Sequence, residues 1–327
     1  MKKLPAFLRF SPIYKDYLWG GDRIPARFGR RGAPAVCAES WEISAHPDGD
    51  SAVADGPLAG RTLSSLVTEF GRDLLGSRAP SATRFPLLCK IIDARQSLSV
   101  QVHPSPSDPG ADPAEYKNEC WHCLDADAGT TIFAGLSESI RDAGALRRLA
   151  LEDPKALAGA LLRHAPKVGE TLYIPAGLVH AIGAGALVYE VQQNSNTTYR
   201  LYDWDRRGPD GKPRKLHFEE ALRSIDFSLP APRFTAPSAD GAGDGVLCLK
   251  TPYFTIREIR AGLRRRLGGE SFNIVFVKSG GFELSGSGTD GNRSAATLEA
   301  GDSVLVPASS EYSLEPRGDA TALVTSL

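Results

Sequence analysis

No run in this 327-residue chain approaches the roughly 18 consecutive apolar residues that a membrane span needs. Charge of one sign is missing too. The 38 Lys and Arg against 39 Asp and Glu leave a formal net charge of −1, which supplies no basic field for nucleic acid or an anionic membrane. Cysteine is scarce, odd in number and unevenly placed (Cys37, Cys89, Cys120, Cys123, Cys248), a pattern that suits a reducing compartment and not a disulfide framework. The opening Met1-Lys-Lys-Leu-Pro-Ala-Phe-Leu-Arg9 superficially resembles a signal peptide. Its apolar stretch is broken by Pro5 and ends at Arg9, shorter than a secretory core. A cytoplasmic protein is expected, with no nucleic-acid and no membrane partner.

What is present is an ordinary globular composition, 42% hydrophobic and 24% charged, with 33 glycines and 23 prolines, as a chain of many short strands and turns requires. The first 135 residues read mostly as short strands and turns. Phe85 to Asp93 and Gln96 to His103 are the clearest strands there. From Ser137 to His164 the Ala, Leu, Arg and Glu content and the three- and four-residue apolar spacing predict one or two helices broken near Pro154; a further helix is expected over His217–Ile225. Strand patterning returns from Val168 to Tyr202. The Pro-, Ala- and Gly-rich stretch Leu229–Gly245 is a linker by composition, and only strand signals follow it. The expected division is residues 1–230, with a helical insertion at about 137–166, a linker over 231–245, and a C-terminal domain over 246–327.

One internal echo bears on the architecture. Gly169-Glu-Thr-Leu-Tyr-Ile-Pro175-Ala-Gly-Leu-Val-His180 aligns without gaps to Gly301-Asp-Ser-Val-Leu-Val-Pro307-Ala-Ser-Ser-Glu-Tyr312. Glycine, acid, hydroxyl, three apolar residues, proline and alanine recur in register. Repetition of a unit is a fold-level signal. It suggests two β-barrels of one architecture, the second carrying Tyr312 where the first has His180, and so metal chemistry in the first barrel alone.

Six histidines are few enough to weigh singly. In Ser99-Val-Gln-Val-His103 the two-residue period of a strand places Ser99, Gln101 and His103 on one face and Val100 and Val102 on the other. A row of polar groups among apolar neighbours suits a barrel interior only if something inside needs binding. Glu119, 16 residues beyond His103, shares a strand face with Trp121 and Cys123, opposite Cys120 and His122. A Pro175–Gly177 turn then leaves His180 just beyond it. Two imidazoles, a carboxylate and a carboxamide oxygen form a plausible zinc ligand set, Gln101, His103, Glu119 and His180, with a position left for water or substrate. His46, His122, His164 and His217 fit no such pattern. Cys120-x-x-Cys123 falls inside a strand, its thiols on opposite faces and with no second pair to complete a zinc knuckle, and reads as structural.

Together these segments resemble the type I mannose-6-phosphate isomerases in their short bacterial form. The resemblance rests on Tyr17-Leu-Trp-Gly-Gly21, Glu39 to Pro47, Phe85 to Pro104, Tyr116 to Trp121, Gly169 to His180 and Val188 to Asp205, and covers roughly the first 230 residues. It implies a mainly β fold of cupin-type (jelly-roll) barrels, two barrels with a small helical insertion, and one zinc ion held by Gln101, His103, Glu119 and His180. It implies further that Arg200, Lys90, Lys117 and Ser99 face the sugar phosphate, that Arg200 and Lys117 take part in catalysis, and that Glu190 is the candidate base. Asn196 stands where the family usually has Asp, and Ala184 where the cupin pattern usually has Asn. The activity implied is interconversion of mannose 6-phosphate and fructose 6-phosphate through an enediol, in a protein expected to be a monomer. Two histidines and a carboxylate also suit a non-haem iron oxygenase, and an intact cupin could serve as a sugar-phosphate sensor; Lys90, Lys117 and Arg200 favour a phosphorylated substrate.

Overall fold

The computed structural model describes residues 3–241 and 245–327. Met1 and Lys2 of the opening segment, and residues 242–244 of the expected linker, lie outside the described residues. The chain is mainly β, with no helix among the described residues long and apolar enough to cross a membrane. It divides into two compact units, each gathered from separated stretches: one from the residues up to Ile13, Trp41–Lys90 and Thr235–Leu327, the other from Tyr14–Ser40 and Ile91–Phe234. This differs from an expected domain over 1–230, because Trp41–Lys90 joins the C-terminal residues. Backbone hydrogen bonds tie it there: Ala308 N–H donates to the Leu74 carbonyl (3.0 Å) and Arg78 N–H to that of Glu270 (2.9 Å). The Phe85 and Phe272 rings, 4.9 Å apart, pack alongside them.

In that unit an eight-stranded antiparallel sheet is organised by two long strands, Asn273–Ser287 and Glu311–Ser326, over a core of Val275, Val277, Phe282, Leu284, Leu298 and Leu314. The helix Leu63–Phe70 also belongs to it. It was not expected, although Leu63, Leu66, Val67 and Phe70 are buried at helical spacing and Thr62 caps the start, its Oγ1 accepting the Ser65 N–H.

The other unit carries two sheets. One has strand order Leu161–His164, Ile132–Leu136, His180–Ile182, Val100–Val102, Tyr199–Tyr202. On its outer face Val100, Val102, Phe133, Val179, Ala181 and Leu201 pack against Leu146, Leu157 and Leu222. These last three come from helices Ala143–Glu152, Ala156–Gly159 and Phe218–Ser224, the first two separated at Pro154 as expected. The expected helical stretch nevertheless ends early: Leu161–His164 is a strand paired to Ile132–Leu136, because that edge offers a ladder for its backbone polar groups. The second sheet pairs Thr171–Ile174 with Glu119–Ala126, and that strand with Ala186–Gln193. Its Trp121, Leu172 and Val188 share a core with Ile132, Ala134 and Ile182 of the first sheet. The inner faces of both sheets therefore meet, and polar side chains on those faces are enclosed.

The echoed hairpins have the same local geometry, each within its own unit. Gly169 and Gly301 are both left-handed (φ 87° and 95°), and a turn bond runs to each proline carbonyl, from Leu178 N–H to Pro175 (3.1 Å) and from Ser310 N–H to Pro307 (3.0 Å). Tyr312 is buried, and its hydroxyl lies 2.8 Å from Asn273 Oδ1.

Candidate metal centre

Strand alternation brings the site together. Val100 and Val102 face the helices, so Gln101 between them faces inward. Antiparallel pairing sets Gln101 opposite His180 on one side and opposite Arg200 on the other, which makes a cross-strand row His180–Gln101–Arg200. From the second sheet Glu119 sits opposite Ile174 and Gln192, on the same strand face as Trp121. The ring of Trp121 stands edge-on to that of His180 with centroids 5.4 Å apart, and the His103 and His180 rings are 4.7 Å apart. His180 reaches this position through the Pro175 turn. There Gly177 has φ 87°, and an added Cβ would come within 3.1 Å of Ser105 Oγ and 3.0 Å of the Ser224 carbonyl, so only glycine fits.

His103, Glu119 and His180 are fully buried, with one potential ligand atom from each lying within 4.8 Å of the others. His103 Nε2 is 3.1 Å from Glu119 Oε2, and His180 Nε2 is 3.5 Å from Glu119 Oε1. About 3.3 Å is the spacing of two atoms that each bind one tetrahedral zinc ion at roughly 2.0 Å. Both imidazole tautomers follow from their neighbours. His103 Nδ1 lies 3.1 Å from the Thr197 carbonyl and His180 Nδ1 2.8 Å from the Leu178 carbonyl. A carbonyl can only accept, so each Nδ1 carries the proton and each Nε2 presents a lone pair. His103 Nε2 and Glu119 Oε2 accordingly face each other without hydrogen-bond geometry despite their short separation. Two buried acceptors in such contact are unfavourable unless a cation joins them.

The electrostatics agree with neutral imidazoles and an ionised carboxylate. Burial, reinforced by the Lys117 ammonium, lowers His103 from its ordinary 6.5 to about 3. Burial likewise lowers His180. Burial alone would raise Glu119, but Lys117, His103 and His180 outweigh it and hold its carboxyl well below the ordinary range. Lys117 Nζ is 2.8 Å from Glu119 Oε2. Ser99 donates its hydroxyl to Gln101 Oε1 at 2.9 Å, and Gln101 Nε2 is 3.3 Å from His180 Nε2.

Of the residues named from sequence, Ser99, Gln101, His103, Lys117, Glu119 and His180 thus form one connected cluster. Arg200 is the strand neighbour of Gln101; burial and the Arg214 guanidinium lower it from its ordinary value, yet an arginine stays cationic. Glu190 is buried opposite Trp121, its Oε2 accepting the indole N–H at 2.9 Å. Lys90 belongs to the other unit, where its ammonium lies 5.0 Å from the ring centroid of Trp41. His122 lies on the opposite strand face, as alternation requires, with Nδ1 3.0 Å from Thr171 Oγ1. The five cysteines are buried free thiols, and burial pushes Cys123 up to about 11, far from an activated thiolate. Sequence reasoning missed three features beside the cluster: the Thr197 carbonyl, Glu115, and His217. The backbone N–H and carbonyl of Arg200 lie 3.4 and 2.8 Å from His217 Nδ1 and N–H respectively. A backbone carbonyl leaves no mark in sequence, and Glu115 is one acid among several before Lys117.

The architecture and site define a cupin-type fold with a buried His–Glu–His candidate metal centre. Comparison with known proteins gives the family. Residues 7–123 match the catalytic domain of type I phosphomannose isomerase. The chain is 40% identical over 229 residues to the mannose-6-phosphate isomerase ManA of Bacillus subtilis, covering 68% of this chain and 69% of that protein. To the mannose-6-phosphate isomerase of Streptococcus mutans it is 37% identical over 254 residues, 77% of each. The crystal structure of the mannose 6-phosphate isomerase from Bacillus subtilis superposes with a TM-score of 0.84 at 30% identity, covering 98% of this chain and 99% of that one. The chain belongs to the type I phosphomannose isomerase family.

Proposed function

We propose that this chain interconverts mannose 6-phosphate and fructose 6-phosphate through an enediol, with one zinc ion held by Gln101, His103, Glu119 and His180. The observation that carries the reading is the pair of imidazoles whose protons are committed to the Leu178 and Thr197 carbonyls, so that both Nε2 lone pairs lie beside one buried carboxylate, that of His103 without any hydrogen-bond partner among the described residues. Nitrogen and oxygen donors at this spacing suit zinc. Gln101 would offer its carboxamide oxygen once the amide turns over, and Ser99 suits either orientation because a hydroxyl both donates and accepts. Zinc bound here would act as a Lewis acid, polarising the substrate oxygens at C1 and C2.

The chain's own residues do the rest. Arg200 presents a fixed fork of donors, suited to phosphate or to the oxygens that gain charge in the enediolate. Its Nε is buried without a hydrogen-bond partner among the described residues, so a donor is available there. Lys117 places an ammonium 2.8 Å from Glu119, keeps that carboxylate ionised and adds positive charge where substrate oxygens would lie. Glu190 is the base in this reading. The Trp121 indole N–H orients its carboxyl, and Trp121 itself touches His180.

The substrate assignment is tested by coupled detection of fructose 6-phosphate formed from mannose 6-phosphate; absence of turnover by metal-replete protein would overturn it. The route is tested with mannose 6-phosphate deuterated at C2, turned over in ordinary water. Loss of part of the label to solvent is expected and is diagnostic of proton transfer through an enediol; retention that stays complete over many reversible turnovers would count against it and favour hydride transfer.

A further inference from the structure

The carbonyl that fixes His103 lies in a stretch with no ladder of its own. Residues 195–198 are irregular, between the strands Ala186–Gln193 and Tyr199–Tyr202. A carbonyl there would ordinarily be free to turn toward any donor, and the ring it orients would turn with it. Side chains hold it instead. Glu115 ends a short 3-10 turn, Pro113–Glu115, that is capped by Asp112, whose Oδ1 accepts the Ala114 N–H at 2.8 Å. Two hydroxyls converge on Glu115 Oε2: Ser195 Oγ at 2.7 Å and Thr197 Oγ1 at 2.8 Å. Ser195 Oγ also accepts the Thr197 N–H at 3.2 Å. The Gln192 side-chain amide donates to the Gln193 and Ser195 carbonyls at 2.9 and 2.5 Å. Thr197 is thereby gripped through both its N–H and its hydroxyl, and its carbonyl is left pointing at His103 Nδ1, 3.1 Å away.

We propose that Glu115 is a positioning residue for the metal centre. Through its bonds to Ser195 and Thr197 it fixes the tautomer and ring direction of His103. Hydrogen bonds to an ionised acceptor are about twice as strong as neutral ones, so one carboxylate can order a loop that two hydroxyls alone would not. Partners of this kind tune metal affinity, typically by 10- to 100-fold when removed. The inference rests on the reading of His103 as a ligand, so its test includes a measurement that needs no metal.

Two quantities are measured on the full-length chain: zinc affinity by competition with a chromophoric chelator, and the 15N shifts of the His103 ring in zinc-free protein. The unsubstituted chain should show one His103 tautomer, protonated at Nδ1. Glu115→Ala should give a mixed tautomer signal and weaken zinc binding by about 10- to 100-fold with the fold retained by circular dichroism. Glu115→Gln, which keeps an oxygen for both hydroxyls, should recover most of that loss. The pair Ser195→Ala with Thr197→Val should reproduce the Glu115→Ala effect, and combining it with Glu115→Ala should add little, because the groups act as one unit. That pair also serves as the decisive variant if Glu115→Ala does not fold. A lower melting temperature with unchanged zinc affinity and an unchanged His103 signal would make Glu115 a structural residue only and overturn the proposal. Should the unsubstituted chain bind no zinc, the functional reading fails, and the tautomer comparison still decides whether the clamp exists.

Discussion

Taking the metal-free protein from pH 8 to pH 5 should cost about 2 kcal/mol of stability through His103 alone. In the unfolded chain this imidazole titrates at its ordinary 6.5; in the fold, burial and Lys117 hold it near 3. At pH 8 it is neutral in both states and contributes no dependence. Below 6.5 the unfolded chain takes up a proton that the folded one refuses, so stability falls as pH falls. The fall continues until the folded value is reached. At pH 5 the unfolded residue is 1.5 pH units below its pKa, and 1.36 kcal/mol per unit gives about 2 kcal/mol. His180 is shifted in the same direction and adds to the slope. Glu119 does not interfere: its carboxyl is depressed, so its contribution is present above its ordinary 4.5 and lost only at lower pH. The assay is urea unfolding of chelator-treated protein at pH 8, 6 and 5, followed by tryptophan fluorescence, to which Trp121 beside His180 is suited. The same series on His103→Gln should have a slope shallower by about 2 kcal/mol across that range. Parallel curves for the two proteins, or a chain more stable at pH 5 than at pH 8, would refute the account of a buried neutral imidazole.

His103→Ala or His180→Ala should abolish tight zinc binding and activity together, whereas His122→Ala should keep both, as read by metal analysis and turnover on the same samples. Arg200→Lys should lower kcat by about a hundredfold or more at unchanged zinc content if the guanidinium stabilises the enediolate; a rise in KM with kcat intact would instead assign it to uniform phosphate binding. In the other unit, Glu258 is buried between Lys278 and Arg260, which hold its carboxyl below the ordinary range against the effect of burial. Glu258→Ala should therefore cost about 3 kcal/mol, measured by urea unfolding, because it strands a largely buried Lys278 ammonium, and Lys278→Met should relieve part of that cost.

Sequence made the centre legible where strand periodicity did the placing. Alternation in Ser99–His103 and in Glu119–Cys123 decides which side chains turn inward, and both patterns are the structural ones, so His122 separates from Glu119 without any coordinates. His180 was legible from the Pro175 and Gly177 turn. What escaped was set by partners distant in the chain. Leu161–His164 has helix-compatible residues but meets the open edge of Ile132–Leu136, and tertiary pairing overrides local preference. The joining of Trp41–Lys90 to C-terminal residues depends on bonds such as Ala308 to Leu74, more than 200 positions apart, which no local pattern announces. The helix Leu63–Phe70 is a different case, since its spacing and its Thr62 cap are written in the sequence.

If a zinc ion at His103, Glu119 and His180, with Gln101, is required for isomerisation of mannose 6-phosphate, metal and activity must be lost and regained together. The direct measurement is zinc content and fructose 6-phosphate formation on one preparation, before chelation, after it, and after zinc is returned. One zinc per chain is expected, with activity that disappears with the metal and recovery of both on reloading, none of it in His180→Ala. Full turnover by protein from which the metal has been removed, or undiminished zinc and activity in His180→Ala, would contradict it.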